Sequence, residues 1–393
     1  MLAHSPPFPL PIIIDHFDYG IWSHDRHGIM LALLHRNRVR RIRLTGHIPF
    51  IEWLIVAIDY EFPMLEYLCI TLKDNAALKF PRTFQAPQLR HLVLANLASS
   101  IGSPLLTGAT GLVTLSLQYI HPSANFCSSE LLQRVSLMPQ LEILRIEFHS
   151  SVSRRELEHE LSHIPNNSYV TLPNLRLFGF GGLSSYLEAF LSQITAPRLE
   201  ALHIAFFDRL TFSISCLLHF MITSKDLRLR RALLSFDGEG VRLWVYPLET
   251  PESIAFALRV YSRHPISAAA QIFNAFRPVF SPVADLTLEY EGHRSSTGWQ
   301  NEATRIEWRA LLRSFNDVKI LHVADGLIRE VSHSLLFNGG EPPIDLLPEL
   351  KKLSYSASRN RDKAFAKFMD ARQNAGCPVT LVHHLERTIP RSL

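Results

Sequence analysis

One pattern of apolar positions recurs along the chain, with apolar residues at the first, fourth and sixth places of a short window. Leu89, Leu92 and Leu94 show it clearly, and a proline stands two positions ahead of the first leucine. The alternation at the end of each window predicts a β-strand with one buried face. Because the window returns many times, we expect a repeat architecture. The ten windows begin at Val39, Leu65, Leu89, Leu112, Leu141, Leu175, Leu199, Val283, Val318 and Leu350.

Most intervals between these windows contain apolar residues at helical spacing. Some of these segments begin with a serine that can cap a helix, as at Ser128 and at Ser153 with Glu156. A final strand is expected at 378–382. The predicted helices cover residues 51–60, 128–137, 153–161, 184–194, 213–222, 268–280, 301–315 and 362–373.

The window L-x-x-L-x-L is the core of the leucine-rich repeat. We therefore predict an α/β fold, a leucine-rich-repeat solenoid with a curved parallel sheet, outer helices and irregular repeats. The repeat consensus also places Asn or Cys eight positions after the first apolar residue, and none of the ten windows has either residue there. The backbone groups of these turns must therefore be satisfied in another way.

The expected domain organisation has three parts. Residues 1–38 form an N-terminal lead-in and cap, residues 39–382 form the solenoid, and residues 383–393 form a C-terminal tail. Within the solenoid, residues 227–262 alternate in period two around a Gly-rich turn, which predicts an irregular β-rich insertion. A domain boundary in that region is the competing interpretation.

The strand positions between the buried ones predict a concave binding surface. This surface is basic at its start, small and neutral in its middle, and acidic further along, which suits a protein partner better than a small molecule. The candidate protein-binding residues are Arg41, Arg43, Tyr67, His91, Gln118, Arg145, Glu147, His203, Asp285, Glu289, His322 and Lys352.

Composition narrows the class of protein. The net charge of +4 over 393 residues argues against a dedicated nucleic-acid-binding protein. Four widely spaced cysteines fit reduced thiols. The sequence contains neither a signal peptide nor an apolar run long enough to span a membrane, so we expect a cytoplasmic or nuclear protein.

Catalytic and metal-binding motifs are sparse. His159, Glu160 and His163 form H-E-x-x-H, the zinc-hydrolase pattern, but no third ligand stands out, and we interpret these residues as a solvated helix face. Gly179 to Gly182 lacks the spacing of a phosphate-binding loop, so we interpret these glycines as room for a tight turn. We expect neither cofactor nor metal.

Three sequence segments and a segment near the C-terminal end show a resemblance to a known family. Val39–Leu44, Phe62–Leu68, Ala86–Leu94 and Asp370–Val379 resemble the F-box-associated leucine-rich-repeat proteins of mushroom-forming fungi. The resemblance covers roughly residues 10–382, the repeat region only, and an F-box is not evident in residues 1–35. It implies substrate selection for a cullin-type ubiquitin ligase, whose linker subunit would then be a partner.

The residues and the resemblance lead to one functional expectation and two alternatives. We expect a non-catalytic protein-protein interaction module that binds its partner on the concave repeat face. The alternatives are a substrate-recognition subunit of a cullin-type ubiquitin ligase and, more remotely, a zinc hydrolase that uses His159, Glu160 and His163.

Overall fold

The chain divides into two compact units, which are described separately. Unit 1 comprises residues 1–200 and 215–226, and unit 2 comprises residues 201–214 and 227–393. The computed structural model describes residues 12–17, 23–74, 78–79, 81, 83–98, 101–121, 124–149, 169–207, 214–224, 229–247, 254–291, 302–336, 345–356 and 365–384.

Unit 1 contains a parallel sheet with the strand order β1-β2-β3-β5-β7-β8-β10. Two small two-stranded sheets, β4-β6 and β9-β11, accompany it. The strands are β1 (Ile12–Phe17), β2 (Val39–Gly46), β3 (Tyr67–Leu72), β4 (Leu78–Lys79), β5 (His91–Ala95), β6 (Leu97–Ala98), β7 (Thr114–Ile120), β8 (Ile143–Phe148), β9 (Val170–Thr171), β10 (Leu177–Gly182) and β11 (Ile194–Thr195). The described helices are α1 (Ser23–Leu34), α2 (Ile48–Ala57), α3 (Pro104–Gly108), α4 (Ser128–Val135), α5 (Ser184–Leu191) and α6 (Ser215–Thr223).

Unit 2 contains a mixed sheet with the strand order β12-β15-β14-β13-β16-β17-β18-β19. Strand β14 runs antiparallel to both of its neighbours, and the other pairs are parallel. The strands are β12 (Ala201–Phe206), β13 (Arg231–Phe236), β14 (Gly240–Tyr246), β15 (Phe256–Tyr261), β16 (Asp285–Tyr290), β17 (Ile320–Val323), β18 (Lys352–Ser356) and β19 (Thr380–His384). The described helices are α7 (Pro265–Ala275), α8 (Arg277–Phe280), α9 (Glu302–Arg313), α10 (Ile328–Ser334) and α11 (Ala366–Asn374).

All ten predicted strands are present, and the α/β class is confirmed. The predicted hairpin is present as β13 and β14, and the third strand beside it is β15. These three strands lie within the sheet of unit 2, between β12 and β16. The sequence did not predict β1, the two-residue strands β4, β6, β9 and β11, or the helices α1, α3 and α10. The predicted helix 153–161, which contains the H-E-x-x-H motif, lies outside the described residues.

One face of each sheet is covered by helices. The buried strand residues meet aromatic side chains of those helices: Phe178 packs against Phe190 of α5 with ring centroids 5.7 Å apart, and Phe236 packs against Trp308 of α9 at 5.2 Å. Burial of apolar area of this kind stabilises a fold by about 25 cal/mol per Å². The alternate residues of each strand belong to the opposite face, and most of them are only half-buried.

Backbone hydrogen bonds between successive strands take part of the role that the missing Asn ladder has in regular repeats. Just after strands of unit 1, the amide of Lys73 donates to the carbonyl of Gly46 at 2.9 Å, and the amide of Asn96 donates to that of Gln118 at 3.0 Å. Asn96 adds a side-chain bond, because its Nδ2 donates to the carbonyl of Leu72 at 2.8 Å. Asn96 lies one position before the site at which the leucine-rich-repeat consensus has Asn.

Asn96 offers a test of this turn, because its φ of 59° lies in the left-handed region. We expect Asn96→Ala to lower the free energy of unfolding by about 2 kcal/mol, since it loses one hydrogen bond and places in the left-handed region an alanine, which lacks the polar side chain that lets Asn adopt it. Asn96→Gly loses the bond and relaxes the backbone, so its cost should be about 1 kcal/mol or less. Urea unfolding followed by circular dichroism measures both, and equal costs would contradict the strain at this position.

Candidate functional site

The candidate site is the helix-free face of each sheet, here called the open face. Every residue proposed from the sequence lies in a described strand at an alternate, outward position, and most are half-buried while Arg145 is exposed. The open face of unit 1 carries Arg41, Arg43, Tyr67, His91, Gln118, Arg145 and Glu147. The open face of unit 2 carries His203, Asp285, Glu289, His322 and Lys352.

Three of the proposed residues form a row across neighbouring strands of unit 1. Register places Arg41 beside Tyr67 and Tyr67 beside His91. The Arg41 guanidinium lies over the Tyr67 ring, 4.3 Å from its centroid, and the Tyr67 and His91 rings are 6.0 Å apart. His91 Nδ1 continues the row with a 3.1 Å hydrogen bond to Thr114 Oγ1. Parallel pairing therefore assembles a cationic and aromatic cluster from residues that are distant in sequence.

Burial changes the ionisation of this cluster. Burial lowers the pKa of His91 below the ordinary value of an imidazole, and the nearby charge of Arg90 lowers it further. Burial also raises the pKa of Tyr67, while Arg41 and Arg43 oppose that shift. At neutral pH the cluster therefore holds a neutral imidazole, a neutral phenol and a positive guanidinium.

Beside this cluster, Arg43 faces Cys69 in the adjacent strand. Burial raises the pKa of the Cys69 thiol, so it is protonated at neutral pH and unsuited to nucleophilic attack. Further along the face, Gln118 Nε2 donates to Ser116 Oγ at 2.9 Å.

The glycines of β10 have a role that the sequence interpretation missed. Gly179 and Gly181 lie within a strand and not in a tight turn, so that prediction was wrong. A Cβ on Gly179 would come within 2.9 Å of Arg145 Cγ, and a Cβ on Gly181 within 2.7 Å of Glu147 Cγ. The two glycines therefore leave room for the long side chains of the neighbouring strand to lie flat across the open face.

On unit 2 the proposed residues occupy several neighbouring strands. Asp285 forms an ion pair with Arg231, with 3.1 Å between Nε and Oδ2, and Glu289 lies beside Ser235. His322 Nδ1 is 2.9 Å from Ser354 Oγ. Of the remaining two residues, His203 of β12 faces Ala257, and Lys352 of β18 faces Ile320.

The His322 and Ser354 pair has the separation of a general base and a hydroxyl nucleophile. However, Ser354 is only 4% exposed, and its hydroxyl also lies 3.5 Å from the carbonyl of Leu321. A substrate carbonyl cannot approach a hydroxyl that is buried under its neighbours. We therefore interpret this pair, like His91 with Thr114, as a cross-strand hydrogen bond that stabilises strand pairing.

Sequence reasoning missed the middle of the open face of unit 2, because residues 227–262 were treated as an insertion. Arg242 lies between two carboxylates, 3.1 Å from Asp237 and 3.1 Å from Glu291. Arg259 pairs with Glu239 at 2.9 Å and lies over the Tyr261 ring at 4.4 Å. Half-buried Trp244 and Tyr246 alternate with the buried residues of β14. The same period-two signal that predicted the hairpin could have identified these residues.

Within the described part of the chain, no group of three or more His, Cys, Asp or Glu side chains could hold a metal ion. His159, Glu160 and His163 lie outside that part, so the zinc-hydrolase hypothesis stays a prediction. No described helix combines the length and the apolar character needed to cross a membrane.

Comparison with known proteins adds no family to these observations: the chain matches no protein-family model, and no curated protein is significantly similar to it.

Proposed function

We propose that the chain is a leucine-rich-repeat-type solenoid that binds a protein partner on its open face without catalysis. The observation that carries this proposal is the division of each strand between a helix-covered face and a half-buried, side-chain-rich open face. Such a face offers many weak contacts over a wide area, which suits a protein surface better than a small ligand.

The composition of the open face supports the same conclusion. Arg, Tyr and Trp are the residues that most often dominate protein-protein binding energy, and Arg41, Tyr67, Trp244 and Tyr246 all lie on open faces. Arg41 is already held against Tyr67 at 4.3 Å, so little side-chain entropy is lost when a partner contacts it.

Affinity capture with charge-reversed variants tests the proposal. We expect Arg145→Glu in unit 1 and Glu289→Arg in unit 2 to reduce capture of a specific partner by at least about tenfold each, where that unit contacts it. Glu52→Arg on α2 and Lys367→Glu on α11 are matched controls, because both residues are exposed on helices. Quantitative mass spectrometry of the captured proteins measures the ratio.

The result that contradicts the proposal is a set of captured proteins that is the same for the wild type, the open-face variants and the helix variants. The same experiment tests the ligase role implied by the family resemblance. That role predicts the ligase's linker subunit among the captured proteins.

A further inference from the structure

A depression of about 480 Å³ lies on unit 1 beside the edge strand β1. Its lining contains two arginines, one carboxylate, two ring side chains and one apolar residue from the edge strand. They are Ile13, Arg40, Arg41, Glu66, Tyr67 and His91. The depression is therefore the concave part of the open face that contains the Arg41, Tyr67 and His91 row.

The charges in this depression do not cancel among the described residues. Arg40 and Glu66 form an ion pair at 3.4 Å, which neutralises both. Arg41 contacts the Tyr67 ring instead of a carboxylate, and its buried Nε has no hydrogen-bond partner in the described part of the chain. One positive charge is thus left for a ligand.

The neighbouring groups make this guanidinium a defined binding group. The contact with the Tyr67 ring holds the guanidinium in place. Because Nε is buried, the two Nη groups are the donors left for an acceptor. His91 Nδ1 is bonded to Thr114 Oγ1 at 3.1 Å. When the Thr114 hydroxyl is the donor in that bond, the imidazole carries its proton on Nε2 and can donate it to a second oxygen atom.

We propose that the depression binds the carboxylate of an Asp or Glu side chain from an acidic segment of the protein partner. This inference rests on the proposed function and specifies which group of the partner unit 1 recognises. A planar carboxylate matches the planar N–H edge of a guanidinium. Its single negative charge matches the single uncompensated charge of Arg41, whereas a phosphoserine carries about −1.5 to −2 and would lie close to the carboxylate of Glu66.

The test uses the full chain and three fluorescein-labelled peptides of glycine and serine. The first contains four consecutive Glu residues, the second has Gln in their place, and the third has phosphoserine. Fluorescence anisotropy at low salt measures their binding to the wild type and to Arg41→Gln, Arg41→Lys and Arg198→Gln. Arg198 is the matched control because it is an exposed arginine of unit 1 that does not line the depression.

We expect the wild type to prefer the Glu peptide over the Gln peptide. Arg41→Gln should weaken binding of the Glu peptide about tenfold, and Arg41→Lys about threefold, because lysine keeps the charge and loses the planar fork. Arg198→Gln should weaken binding less than twofold. Circular dichroism melting of each variant shows that the fold is retained.

Three outcomes overturn the inference: equal binding of the Glu and Gln peptides, equal losses in Arg41→Gln and Arg198→Gln, and tighter binding of the phosphoserine peptide. The partner-capture experiment separates this failure from failure of the proposed function. A partner retained by Arg41→Gln and lost by Arg145→Glu would leave the proposed function standing without the carboxylate site.

Discussion

Trp308→Ala should lower the free energy of unfolding of unit 2 by about 4 kcal/mol, the typical cost of removing a fully buried Trp side chain. Trp308 is only 1% exposed, and its ring meets Phe236 of β13 edge-on at 5.2 Å. The substitution would remove the largest side chain between α9 and the sheet and leave a cavity. Urea unfolding of the full chain, followed by circular dichroism, measures the loss.

Two further variants separate cavity formation from other effects. Trp308 Nε1 is buried and has no hydrogen-bond partner in the described part of the chain, so Trp308→Phe keeps most of the packing and removes an unsatisfied donor. Its cost should stay below about 1.5 kcal/mol. Ile306 lies on the same helix and is 61% exposed, so Ile306→Ala should change the free energy of unfolding by no more than about 0.5 kcal/mol. Equal losses at 306 and 308 would disprove the packing of α9.

The second large effect is expected at Gly240, where β14 begins. A Cβ at this position would lie 2.1 Å from the carbonyl oxygen of Val260. That oxygen belongs to the backbone of β15, which pairs with β14 through Gly240 and Tyr261, so it cannot move without breaking strand pairs. We expect Gly240→Ala to cost about 3 kcal/mol, at the upper end of overpacking effects.

Gly238 is the matched control for Gly240. It lies in the same turn, its added Cβ would meet no atom within 4 Å, and Gly238→Ala should change the free energy of unfolding by less than about 0.5 kcal/mol. The turn itself is held by Asp237, whose Oδ1 accepts the amides of Glu239 at 2.8 Å and Gly240 at 2.7 Å. Similar unfolding curves for the two glycine variants would show that β14 and β15 are not paired as described.

Strands of the main sheets were predicted more completely than helices, because the pattern that identifies a strand lies within a few neighbouring residues. Alternation in a strand such as β5 is visible in five residues, because each side chain is assigned to one face by period two alone. Helix α1 was not predicted because His24, Arg26 and His27 interrupt its apolar positions. Strand β1 was not predicted because Ile12, Ile13 and Ile14 form an apolar run without alternation.

The open-face positions of the ten repeated windows were predicted, but their contacts and the open-face residues of β13 to β15 were not. The position of Arg41, one residue before Ile42 and three before Leu44, placed it on the face opposite those two buried residues, as the structure has it. Its contact with Tyr67 depends on the side-chain conformation of two residues in different strands. Pairing partners such as Arg242 with Glu291 are 49 positions apart, so no local pattern links them.

The amino-acid pattern was thus sufficient to predict the strands of the ten windows and of the hairpin, the face of each that is buried, and the α/β class. These properties follow from hydrophobic burial acting with period two, which needs only neighbours along the chain. Tertiary structure alone decided that residues 231–261 lie inside the sheet of unit 2, that Gly179 makes room for Arg145, and that Arg41 keeps an uncompensated charge while Arg40 does not. Each of these depends on register and packing between distant segments, and those are set only when the strands pair.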